Sequence, residues 1–161
     1  MLSQVSLGHF YFEIALIMRD SMLVSKLVST SEEWYDVTKQ EYKKLESVYE
    51  MFYRRLFNVQ ISTPKESLYM ETGKIPIKYI IKMRRVMYWW HVVNSNKSEV
   101  LFKCYQAQKL NTNKGDWVEQ LNKDKIELDL QLTDEQMQLF SKEKFKSLLK
   151  SRIEKVQPNT F

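Results

Sequence analysis

Helix-start signals in which a Thr, Asn or Asp stands three residues before a Glu or Gln recur along this chain, and five of them limit the fold more than any other feature. The pairs are Thr38 with Glu41, Thr63 with Glu66, Asn96 with Glu99, Asp116 with Glu119 and Thr133 with Gln136. In this pattern each side chain accepts a hydrogen bond from the other residue's backbone N–H, which satisfies donors in the first turn of a helix. Pro64 fits a first helical position, where its missing N–H costs nothing. Only 3 Gly and 3 Pro occur in 161 residues, too few for a turn-rich β architecture.

Apolar spacing carries the same message. Tyr42, Leu45, Tyr49, Phe52 and Leu56 step by three and four, which lines one face of a helix after Thr38. Further helices are expected at about Gly8–Leu27, from Thr63 to a stop at Gly73, and from Pro76 to about Val93. The last four cover Lys97–Leu110, Trp117–Asn122, Asp134–Phe140 and Lys142–Lys155. Ile126–Leu132 alternates apolar and polar residues like a half-buried strand, but no pairing strand is evident, so an extended connector is expected there. The hinges fall at Asn58–Ser62 and Asn111–Gly115. The predicted fold is all-α, an irregular bundle of six to eight helices. Residues 1–60 and 61–161 form two segments packed as one unit.

At 43% hydrophobic and 28% charged residues, the chain is too apolar for disorder and large enough to bury a core. Glu13, Arg19, Asp20 and Lys26 interrupt the best candidate run, and the first twenty residues lack a basic start, so no membrane span or signal peptide is read. The single cysteine, Cys104, excludes an internal disulfide framework and suits a reducing, intracellular setting, cytoplasmic or nuclear.

Charge is the uneven property. Residues 1–71 hold 8 basic and 10 acidic side chains, and residues 99–161 hold 11 and 10. The 27 residues between them hold 6 basic and none acidic, which accounts for the whole net charge of +5. On a helical wheel for 76–93, Tyr79, Ile80, Met83, Val86, Met87, Trp90 and Val93 form a broad core side. Lys78, Lys82, Arg85 and Trp89 crowd the opposite arc, with Arg84 beside it and Lys74 just ahead. One reading is structural, with cation stems lying on apolar surface and heads in water. The other is an exposed cationic ridge for phosphates, with Trp89 near sugar or base. Arg54 and Arg55, at the end of the preceding long helix, are weaker additions that the helix dipole also explains.

Catalytic patterns are sparse. His9 and His91 lack neighbours at metal-ligand spacing, and Gly8, Gly73 and Gly115 are too isolated to build a phosphate loop. Cys104 shares an apolar helix side with Val100 and Leu101, so a small buried hydrophobe is expected. Neither a cofactor nor a small-molecule substrate is expected.

The stretch KLVSTSEEWYDVTKQEYKKLESVYEMFYRRLF (26–57) resembles the helical region after the palm in animal non-LTR retrotransposon reverse transcriptases. The shared features are Glu33-Trp34, the Thr38-to-Glu41 step, Leu45-Glu46 and the closing pair Arg54-Arg55. STPKESLYMETGKIPIKYIIKMRRVMYWWHVV (62–93) continues the likeness, as do AQKLNTNKGDWV (107–118) and SKEKFKSLLKSRI (141–153). The resemblance implies a thumb and linker that grip a template–primer duplex or the element's RNA. A Tyr-x-Asp-Asp metal site and a Cys/His knuckle are both missing from this sequence. On that footing the chain is expected to be a non-enzymatic fragment. It is expected to contact nucleic-acid backbone through Lys74, Lys78, Lys82, Arg84 and Arg85, with Trp89, Arg54 and Arg55 in support. A helical module for a protein partner such as the missing palm, or a remnant without a role, stays open beside it.

Overall fold

A computed structural model describes residues 11–96, 99–111, 113 and 115–156. Among them there is no strand, and the chain forms eight helices, as expected for the all-α bundle. Helix α1 covers residues 11–27 and includes a π-helical stretch at Arg19–Val24. Then come α2 (Lys39–Phe57), α3 (Lys65–Thr72), α4 (Ile77–Asn94) and α5 (Val100–Leu110). The last three are α6 (Trp117–Glu127), α7 (Asp134–Gln138) and α8 (Lys142–Val156).

Two of the five start signals form the full reciprocal cap. Thr38 accepts from the Glu41 N–H while Glu41 accepts from the Thr38 N–H at 2.8 Å, and Thr133 and Gln136 do the same for α7. The other three helices start without a side-chain cap, on Pro64, Glu99 and Asp116. The stops fit backbone chemistry: α2 ends on Asn58 and α3 on Gly73, both left-handed, with φ of 52° and 60°.

Two hydrophobic clusters divide the interior. One joins Leu16 and Val24 of α1, Tyr49 and Tyr53 of α2, Leu68 and Tyr69 of α3 and Ile77 and Ile81 of α4. The other gathers Val86, Trp89 and Val93 of α4 with Leu121, Met137, Phe145 and Leu149. Helix α4 belongs to both and touches α2, α5, α6, α7 and α8. Helix α3 and the first turns of α4 belong with the N-terminal cluster, and α4 is the shared axle.

That central position overturns the outward arc expected of α4: Lys82, Arg85 and Trp89 are buried, the last two at 0% exposure, and Lys78 is half-buried. Of the expected core side, Tyr79, Val86 and Val93 are buried, whereas Ile80, Met83, Met87 and Trp90 are half-buried. Helix α6 also outruns its expected end at Asn122 and takes in Ile126 and Glu127, so Ile126 stands exposed. The extended connector expected over Ile126–Leu132 is not formed: the run ends α6 in a turn at Leu128 and Asp129, with Asp129 at φ 50°, and its Leu128, Leu130 and Leu132 pack toward the core.

Candidate nucleic-acid interface

The acid-free segment does not form an exposed ridge, because acids from distant parts of the chain meet its cations. Lys74 Nζ lies 2.8 Å from Asp20 Oδ2. Burial pushes the Asp20 carboxyl up, but hydrogen bonds from Lys74 and Arg19 outweigh it and hold it below its ordinary value. Arg84 donates from Nε at 2.9 Å to Glu32 Oε2, and its Nη2 lies 2.8 Å from the same oxygen. Lys82 pairs with Glu127, lies 4.0 Å from Asp124 and is 8% exposed.

Arg85 is the extreme case. Its Nη1 pairs with buried Asp124 and its Nε donates to the Trp34 carbonyl at 2.9 Å. Burial pushes the Asp124 carboxyl up, and Arg85, Lys82 and Gln120 offset only part of that. Arg85 Nη2 is left without a hydrogen-bond partner inside the fold, a polar orphan of the kind that native interiors keep rare.

Trp89 is equally committed. Its indole N–H donates to Tyr105 Oη and Asp134 Oδ1, both at 3.1 Å, and Lys125 Nζ lies 4.0 Å from its ring centroid. The face expected to meet a base is occupied by an internal cation. Lys78 is half-buried, with Nζ 4.7 Å from the Tyr79 ring centroid. Arg54 braces the loop after α2, donating to the carbonyls of Gln60 (3.0 Å) and Thr63 (2.7 Å). Arg55 alone of the eight expected residues stands exposed, at the edge of a groove it shares with Lys43 and Lys65. Glu46 and Glu50 line the same groove and moderate its charge.

The strongest outward basic element is α8, six of whose 15 residues are basic and two acidic. Phe145, Leu149 and Ile153 are its buried face. Lys142, Lys146 and Lys150, four residues apart, follow one exposed flank. Lys142 also borders a cavity of about 280 Å³ lined by Arg84, His91 and Glu32. The i, i+4, i+8 spacing of these lysines is present in the sequence, but the eight acids of residues 99–141 offset the excess of α8 in the near-neutral sum for residues 99–161.

No family model, curated protein or solved structure matches this chain. Among the described residues, no group of three or more His, Cys, Asp or Glu is placed to hold a metal ion, and no helix is long and apolar enough to cross a membrane. His91 is exposed, and His9 lies outside the described residues. Cys104 is exposed and not the buried hydrophobe expected. Helix α5 buries only Tyr105, so the side carrying Val100 and Cys104 faces outward.

Proposed function

We propose that this chain is a non-catalytic helical module of the thumb-and-linker kind seen in non-LTR reverse transcriptases, and that it meets nucleic-acid backbone through α8 and not α4. One observation carries the reading: Lys142, Lys146 and Lys150 are exposed in a row on a helix whose opposite face is anchored in the core. Successive members rise about 6 Å along the axis, so three ammonium groups track one line of phosphates. Such contacts position a duplex without reading its sequence. Arg55 and Lys43, in the groove on α2, are too far diluted by Glu46 and Glu50 to lead.

Fluorescence anisotropy of a labelled RNA–DNA duplex over a salt series tests this. Three neutralised phosphates give a log–log slope of about −2.7. Replacing Lys142, Lys146 and Lys150 together with Ala removes binding, while Lys78→Ala leaves the slope intact. Failure to bind at low salt eliminates the reading.

A second reading has its own observation. On α1, Tyr11, Met18 and Met22 are exposed at spacings of seven and four, an apolar stripe suited to a protein partner such as a polymerase palm. Substituting Met18 and Met22 with Lys separates the two: association with a palm domain is lost and duplex binding is kept if the stripe is the interface.

A further inference from the structure

A cleft of about 350 Å³ opens where the loop after α1 meets α4, α5 and the start of α6. Its chemistry is opposite to that of a phosphate site. Trp117 forms one wall, and two tyrosines stand nearly perpendicular to it. Tyr88 lies 5.8 Å away at 89°, and Tyr105 lies 6.3 Å away at 83°. Glu33 and Asp116 border the same space, and among the described residues lining it there is no lysine or arginine.

The walls are held in place from behind. The Trp117 indole N–H donates to the Glu32 carbonyl at 2.7 Å, and Tyr105 Oη donates to Asp134 at 2.8 Å. Neither ring can swing away without breaking a hydrogen bond, so the cleft is preformed. The phenol of Tyr88 is pushed up by burial and by the charges of Glu33 and Glu32, which agrees with a negative potential at this spot.

We infer that this cleft binds an alkylated ammonium head group, the quaternary cation of a choline-like molecule or of a trimethylated lysine side chain. Aromatic faces carry negative charge density and attract a cation that sheds its water readily, and methylation makes an ammonium weakly hydrated and greasy. Two carboxylates at the rim supply longer-range attraction. A phosphate is repelled by them, and a plain lysine ammonium keeps its hydration and gains little from the rings. The volume sits at the small end of ligand pockets, which suits a head group and not a whole cofactor. The cleft shares no residue with the α8 lysine row.

Cys104 lines the cleft, is exposed and is the chain's only cysteine, so it serves as a built-in reporter. Two methanethiosulfonate reagents of similar size, one with a trimethylammonium head and one with a sulfonate head, are reacted with the folded chain. In each case the thiolate sulfur attacks the reagent's divalent sulfur, a mixed disulfide forms and methanesulfinate leaves. The cationic reagent reacts faster by a ratio about tenfold above that in the urea-unfolded chain, because a charged cleft concentrates the matching ion. Sodium chloride slows labelling by the cationic reagent through screening alone, and tetramethylammonium chloride at equal ionic strength slows it further by occupying the cleft. Protection by choline as well as by a trimethyllysine peptide identifies a free small cation as sufficient, and protection by the peptide alone identifies a modified side chain. Glu33→Gln, at an exposed position, lowers the reagent ratio, and Tyr88→Leu abolishes protection with the circular dichroism of the chain unchanged. A ratio equal to that of the unfolded chain, or no protection by any quaternary ammonium, overturns the inference.

Discussion

Arg85 and Asp124, 39 residues apart in sequence, pair at the centre of the molecule with neither side chain reaching solvent. The pair sits where α4 crosses α6, and Arg85 also holds the backbone carbonyl of Trp34. It therefore ties the loop after α1 and α6 to one side chain of the central helix. A charge left alone in such a place costs far more than a pair removed whole. Arg85→Leu alone is expected to lower unfolding stability by about 3–5 kcal/mol, with Asp124 stranded. Arg85→Leu together with Asp124→Leu recovers much of that loss. Urea unfolding of both variants checks it: equal losses in the single and the double would mean that shape, not charge, is what matters at this position.

Trp89 is expected to be silent toward nucleic acid. Its indole is enclosed, its N–H is shared between Tyr105 and Asp134, and Lys125 covers its ring. Trp89→Phe keeps most of the apolar surface and loses the indole donor, a change of about 1 kcal/mol in stability. Duplex affinity in the anisotropy assay stays within error of the parent chain. A drop in affinity at unchanged stability would return Trp89 to the contact surface.

Asp134 gives the fold an acid limit. Burial pushes its carboxyl up, but hydrogen bonds from Lys109, Tyr105 and Trp89 outweigh this, so its folded value lies below the ordinary 3.8. A depressed carboxylate contributes in full above the unfolded value and loses its contribution as pH falls through the folded one. Thermal melts taken from about pH 5 down to about pH 2 should show Tm falling on that limb. In Asp134→Asn the fall is shallower, because one titrating group has been removed, while Asp20 remains to titrate. An identical slope in the variant would show that other carboxylates carry the acid limb.

The helices were legible and the surface was not, for one physical reason. Helix starts and apolar periods are written within a few residues of each other, so Thr38 with Glu41 or the Tyr42-to-Leu56 stripe can be read locally. The partners of Lys74, Arg84, Lys82 and Arg85 lie 54, 52, 45 and 39 residues away, at Asp20, Glu32, Glu127 and Asp124. A helix with no acids of its own looks like a patch when read along the chain. Placed at the centre of a bundle, it draws its counter-ions from α1, the loop after it and α6. The wheel for α4 failed for a related reason: a helix enclosed on most sides has no outward arc, so Trp89 and Arg85 had nowhere to go but inward. Cys104 and Ile126 erred in the other direction, because short-range apolar patterns cannot say which flank of a helix finds a partner.

Tyr49 sets the alkaline limit. It is fully buried, its hydroxyl donates to the Ile75 carbonyl at 3.0 Å, and Arg19 lies 5.0 Å from its ring centroid. Burial is the main cause that pushes its phenol from 10.0 up to about 12, with Asp20 adding to the rise and Arg19 opposing it. The unfolded chain gives up this proton at about the ordinary value, while the folded chain keeps it. The native state thus binds more protons in that interval, and stability present below pH 10 is lost as pH rises toward about 12. Tyr69 and Tyr105 are also pushed up by burial, so they add to the same limb. The urea midpoint should fall across that window, with phenolate absorbance appearing in step with unfolding. Tyr49→Phe loses a hydrogen bond worth about 1 kcal/mol at neutral pH but declines less steeply in alkali. Phenolate absorbance rising well before the fold is lost, by the amount of one tyrosine and absent in Tyr49→Phe, would show that this hydroxyl is open to solvent.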